Sequence, residues 1–144
     1  MNQAAPAKLP TVTGRLEEKA DDKIILHVLG SDYRLHLVTE GPVDAEVGDR
    51  ITGTIHLHPR RVDVFPSGGR FLEPVFGRPR RMQGRVAGGD VSANTLYVQA
   101  GAPVIAHLMA SQKASDFAIG QLVGGDVQRG GRFELVDESS VDVL

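Results

Sequence analysis

One β-patterned block is written twice in this 144-residue chain, and the repetition limits the folds open to it. Val12-Thr-Gly-Arg-Leu16 is answered by Met82-Gln-Gly-Arg-Val86 at an offset of 70. Residues 24–29 and 33–38 flank Gly30-Ser-Asp32 as a hairpin does, and residues 95–99 and 104–108 flank Gly101 in the same way. His107 falls on His36 at an offset of 71, and Gly120-Gln-Leu-Val123 falls on Gly48-Asp-Arg-Ile51 at an offset of 72. Residues 61–65 close the first block, and Phe133-Glu-Leu-Val136 closes the second. Elements recurring in one order at a nearly fixed period are the mark of an internal duplication. The drift from 70 to 72 is that of single-residue insertions in turns.

The pattern inside each block is that of strands. In residues 50–57, Ile51, Gly53, Ile55 and Leu57 alternate with polar residues and share one face. The single helical reading is residues 110–119, where Ala114, Phe117 and Ala118 fall on one side. A sheet of about 55 residues left open would have bare edges and a thin core, which closure into a small barrel removes. The expected fold class is therefore all-β: two tandem five-stranded barrels related by duplication, with a short helix in the second. The expected division is a disordered tail at 1–10, a first barrel at 11–65, a connector at 66–81, a second barrel at 82–136 and a tail at 137–144. The C-terminal tail is acidic and offers Val141, Val143 and Leu144 at its end.

The order within each block, a three-stranded meander, a connection and two further strands, resembles the OB-fold. In the second block, Gly101-Ala-Pro-Val-Ile-Ala-His-Leu-Met-Ala-Ser111, followed by Asp116-Phe-Ala-Ile-Gly-Gln-Leu-Val123, is similar to the paired TOBE or molbindin domains. That resemblance implies a molybdate-type oxyanion site near residues 110–113, with Ser111 and Lys113 as donors. The first block has Thr39-Glu-Gly-Pro42 at the equivalent place, a carboxylate and a proline instead of donors.

Residues 66–81 are no ordinary linker. Phe65, Phe71, Leu72, Val75 and Phe76 lie in or beside them, and solvated linkers are poor in such residues. The segment is expected to dock in the seam between the barrels, where each buried phenylalanine contributes roughly 1.5–3 kcal/mol. It is also basic. Residues 50–85 carry eight arginines against Asp63 and Glu73, whereas the segments on either side are net acidic. Arg60, Arg61, Arg70, Arg78, Arg80, Arg81 and Arg85 are thus candidates for binding nucleic acid or another anion, because a guanidinium donates two parallel hydrogen bonds to a phosphate. The competing reading is a belt of internal ion pairs. Single-strand binding also calls for aromatic platforms, and aromatic residues are 5% of the chain.

Other chemistry is sparse. The absence of cysteine excludes disulfides, thiolate catalysis and cysteine-ligated zinc. No apolar run reaches the roughly 20 residues that cross a bilayer, no signal core stands at the N-terminus, and the expected location is the cytoplasm. A two-residue loop at Ser31-Asp32 would set His27 across from His36, and His56 and His58 share a strand face. Such pairs are weak grounds for a metal site, and neither metal nor cofactor is expected. No serine elbow, His-Glu-x-x-His or phosphate-binding loop is present. The sequence predicts a non-enzymatic binding or assembly module. Its first-ranked partner is another protein or a second copy of itself, with no membrane partner. Nucleic-acid binding through the arginine belt and oxyanion binding of the TOBE type are the alternatives.

Overall fold

The computed structural model describes residues 9–136; all but Leu9 and Pro10 of the predicted N-terminal tail, and the whole C-terminal tail, lie outside the described residues. The chain is all-β. In order, the strands are β1 (Val12–Lys19), β2 (Lys23–Val28), β3 (Arg34–Val38), β4 (Arg50–Leu57), β5 (Asp63–Phe65), β6 (Phe71–Glu73), β7 (Phe76–Gly77), β8 (Arg81–Asp90), β9 (Thr95–Ala100), β10 (Ala102–His107), β11 (Leu122–Asp126) and β12 (Arg132–Leu135).

Strands β1, β2, β3, β12 and β4 form a closed barrel, shut by antiparallel pairing of β1 with β4. Strand β12 lies antiparallel to β4 and meets β3 in parallel at Arg132 and Val38. Period-2 alternation turns one face of each strand inward. Leu16, Leu26, Leu35, Leu37, Ile55, Leu57 and Phe133 fill the interior. Gly53 is required there. A Cβ at that position would stand 2.4 Å from Cζ of Phe133, so the absent side chain is the space the ring occupies.

Residues 61–65 were expected to complete this barrel; residues 132–135 do so instead. β5 lies at the free edge of a second arrangement, β10-β9-β8-β11-β5, paired with β11. The physical reason is size and polarity. Strand β12 supplies the bulky Phe133, 2% exposed, opposite Ile55. β5 has Asp63 and Val64, both solvent-exposed, and at most Phe65 to bury. Pro59 also interrupts the chain before β5 and bridges to Val127 beside β11, steering residues 60–65 away from β4.

The two arrangements join through β4. Beyond its pairing with β1 it meets β10 in parallel, His56 against Ile105 and Leu57 against Ala106. The pairings on the two sides correspond. Gly14 faces Ile51 across β1 and β4, and Gly84 faces Val123 across β8 and β11. The meander register slips between Leu16 and Glu18 in β1 and between Val86 and Gly88 in β8. Each slip is a β-bulge, which adds the twist that a small sheet needs to curl.

The segment between β5 and β8 touches both sides. β6 pairs with β8, and β7 pairs with β3. Leu72 is fully buried, while Val75 and Phe76 are exposed. Tyr33 pins the segment: its hydroxyl accepts the Leu72 N–H at 3.0 Å, and its ring lies against Gly101. Tyr33→Phe leaves that partly buried N–H without an acceptor. We expect a loss of about 1 kcal/mol in urea unfolding with an unchanged m-value.

The helix expected at 110–119 does not form. A single 3-10 turn, Ala114–Asp116, stands between extended backbone at Lys113 and Phe117. The groups a helix would use are taken by side chains. Asn94 Nδ2 donates to the Gln112 carbonyl and its Oδ1 accepts the Ala114 N–H. The Gln112 amide bonds both backbone groups of Val62 at 2.8 Å, imitating a ladder rung beside β5. No helix among the described residues is long and apolar enough to cross a membrane.

Candidate functional site

The described cations do not form one belt. Arg61 pairs with Asp63 at 2.9 Å, Arg81 with Asp126 at 3.0 Å, and Arg85 donates to the Gly120 carbonyl at 3.0 Å. Arg70 is exposed in the loop before β6. Arg60, Arg78 and Arg80 converge with Arg129, which the sequence reading had not singled out, on one concavity of ≈ 380 Å³ floored by Val127 and Gln128. None of these four has an ion-pair partner among the described residues. The Arg78 pKa is pushed down by partial desolvation and then by the neighbouring Arg129 and Arg80 charges. Like charges held together without counter-charge are an anion's environment.

The backbone holds these arginines in place. Arg60 N–H donates to the Asp126 carbonyl at 2.8 Å, Val127 N–H to Arg80 at 2.9 Å, and Gln128 N–H to His58 at 2.9 Å. Buried Pro59 and Pro79 precede Arg60 and Arg80 and fix the approach of the chain. The loop carrying Arg129 then turns at Gly130, φ +95°, a conformation glycine adopts at little cost. It is tied to the barrel by Val38 N–H donating to the Gly131 carbonyl at 2.8 Å.

Arg78 and Arg129 also line a groove of ≈ 610 Å³ on the outer face of β2 and β3. Ile25, His36 and Val38 line it together with Lys19 and Lys23, and Glu18 is its acidic side chain. Lys19 is partly engaged, 3.7 Å from Glu46. Beside the groove stands Phe76, 63% exposed, edge-on to His36 with ring centroids 5.2 Å apart. An exposed phenylalanine is costly to hydrate and serves as a flat stacking surface. Arg129 was hidden by the pairing that brings the loop before β12 beside β3, and Phe76, expected to be buried with the docked connector, is exposed where β7 pairs with β3.

The histidines are arranged otherwise than expected. The β2–β3 register sets His27 against Arg34 and His36 against Ile25, because the Val28 N–H bonds the Tyr33 carbonyl and lengthens the loop to four residues. His27 instead bonds the Ser31 carbonyl at 2.9 Å and lies 3.6 Å from Glu17. His56 and His58 do share a location, and the parallel β4–β10 pairing adds His107. His107 stacks on His58 at 4.9 Å and faces His56, Nε2 to Nδ1, at 2.8 Å. On its other side His56 Nε2 meets the Thr54 hydroxyl at 2.9 Å and Glu134 at 3.4 Å. The carboxylate favours the proton on Nε2, leaving Nδ1 to accept from His107. Burial first, and then the Arg132 and His107 charges, lower the His56 pKa to about 4. Burial and Arg132 lower that of His58, and burial, His58 and Arg132 that of His107. Two of the three rings bond each other across the seam, and among the described residues no group of histidines and carboxylates is arranged to hold a metal ion.

Ser111 and Lys113 are exposed in the loop after β10, on either side of the engaged Gln112.

No family model, curated protein or solved structure matches the chain.

Proposed function

We propose that this protein binds single-stranded nucleic acid along the β2–β3 groove. The single observation that carries the reading is the coincidence, on one barrel face, of Lys23, Arg78 and Arg129, none of them in an ion pair among the described residues, with the exposed Phe76–His36 pair. Cations follow a phosphate backbone and aromatic faces take bases without regard to sequence. The strand order β1-β2-β3-β12-β4 resembles that of an OB-fold, whose second and third strands and adjoining loops take oligonucleotides in other proteins, and this likeness supports the reading by analogy. We further read the chain as one OB-like recipe written twice, whose copies have exchanged their fifth strands. The matched Gly14–Ile51 and Gly84–Val123 pairings and the matched bulges support that reading. No binding site follows from duplication alone, and the groove belongs to the first barrel only.

This ordering puts nucleic acid ahead of a protein partner. Protein-binding faces are poor in lysine, whereas this groove is lined by Lys19 and Lys23 together with Arg78 and Arg129 against the single carboxylate of Glu18. The test is fluorescence anisotropy with a labelled oligothymidylate across a salt series. Three groove cations predict a slope of log affinity on log salt of about −2. Lys23→Ala/Arg78→Ala/Arg129→Ala should weaken binding by on the order of 100-fold and flatten the slope. Phe76→Ala should cost about 1–3 kcal/mol with the slope retained. Affinity unchanged in the triple variant, or no tighter than for a non-nucleic polyanion of equal charge, overturns the reading. Sedimentation as a dimer that hides Phe76 would favour self-assembly instead.

A further inference from the structure

The four-arginine concavity has no role in the groove's reading beyond the two residues they share. Arg78 and Arg129 belong to both, whereas Arg60 and Arg80 face the concavity alone. It therefore adjoins the groove where Arg78 and Arg129 line both. Its charge exceeds what a strand in passage supplies. A phosphodiester brings one negative charge, and four guanidinia without carboxylates concentrate four positive ones within ≈ 380 Å³. A terminal phosphomonoester carries about −1.5 to −2 and three acceptor oxygens, so it accepts several forked hydrogen bonds together. The main chain that carries the arginines is fixed: backbone hydrogen bonds tie Arg60 to Asp126 and Arg80 to Val127, and the turn holding Arg129 is tied at Gln128 and Gly131.

We infer that this concavity is a dianionic-phosphate pocket that receives the phosphorylated end of the strand lying in the groove. The inference rests on the nucleic-acid reading of the groove and goes beyond it, since it makes the protein selective for strand ends. Its chemistry, several guanidinia around a multiply charged phosphate, would also suit a free oligophosphate, and the test separates these sources.

The experiment compares labelled oligothymidylates ending in 5′-phosphate, 3′-phosphate or hydroxyl only, each with the full-length protein and with Arg60→Ala/Arg80→Ala. Inorganic pyrophosphate is used alone in a thermal-shift arm. The expected result is about tenfold tighter binding of one phosphorylated terminus than of the hydroxyl strand. The double variant should lose that preference while binding the hydroxyl strand as before, with its melting temperature intact. Equal affinity for all three strands overturns the inference and leaves the groove reading standing. Stabilisation by pyrophosphate without discrimination among strand ends also overturns it, assigning the pocket to free oligophosphate. Failure to bind any of the strands removes both readings.

Discussion

Replacing Phe133 by alanine is expected to lower the stability of the whole chain by about 3–5 kcal/mol. The ring is 2% exposed in the barrel interior, faces Ile55 and occupies the space that Gly53 leaves. Strand β12 is only four residues long, yet it is the element between β3 and β4, so the barrel is shut by this one short insertion. Removing the ring takes away its transfer free energy and opens a cavity that a strand fixed on both edges cannot collapse into. Net stabilities of small proteins are about 5–15 kcal/mol, so the variant would sit near the edge of folding. Because β12 comes from the far end of the sequence, the loss should appear in both halves at once. Urea unfolding followed by Tyr33 fluorescence in the first half and Tyr97 fluorescence in the second, in Tyr→Phe backgrounds, should show one transition in each case, with the midpoint lowered by the same amount relative to the matching background that retains Phe133. A first-half transition moving alone would mean that β12 does not couple the halves.

Acid should destabilise the protein well above the range in which carboxylates titrate. His56 is held at a pKa of about 4, against an ordinary 6.5 in the unfolded chain, and His58 and His107 are shifted in the same direction. Below pH 6.5 the unfolded state takes up protons that the folded state refuses, so folding stability falls as pH drops from 6.5 towards 4 and is fully present above 6.5. For His56 alone the change is about 2–3 kcal/mol. The cause is local. Burial disfavours the charged ring first, Arg132 on β12 adds repulsion, and a proton on His56 Nδ1 would point at His107 Nε2, 2.8 Å away, while Glu134 offsets these only in part. Chemical denaturation at pH 7.5, 6 and 4.5 should show the falling midpoint, and His56→Asn should flatten the profile between pH 6 and 4.5 while lowering stability at pH 7.5. A wild-type profile flat over this interval would mean that the histidines titrate freely.

Much of the barrel was legible because alternation reports which face of a strand is buried. Val12, Gly14 and Leu16, or Ile51, Gly53, Ile55 and Leu57, needed no tertiary information. What alternation lacks is the identity of the neighbour. Residues 61–65 and 132–135 are both short β-patterned runs, and which sheet each joins depends on Phe133 fitting over Gly53 and on Pro59 turning the chain away. The same blindness misread residues 110–119. Their apolar spacing suits a helix, but Asn94, sixteen residues before Ala110, consumes their backbone groups.

The candidate site was legible only in part. Seven arginines were visible as a cluster in sequence, but three of them, Arg61, Arg81 and Arg85, spend their donors within the protein. Arg129 completes the set from a distant turn whose sequence, Arg-Gly-Gly, signals only a bend. Phe76 was expected to be buried with its neighbours. It points to solvent because β7 is only two residues long and pairs with β3 at the barrel's outer edge, leaving nothing to cover it.

The groove assignment is tested most directly by titrating ¹⁵N-labelled protein with an unlabelled oligothymidylate and recording amide shifts. Changes confined to Lys23, Ile25, His36, Phe76, Arg78 and the 129–131 loop are the predicted result. Changes centred on Arg61, Arg70 and the free edge of β5, with the β2–β3 face unmoved, would contradict it.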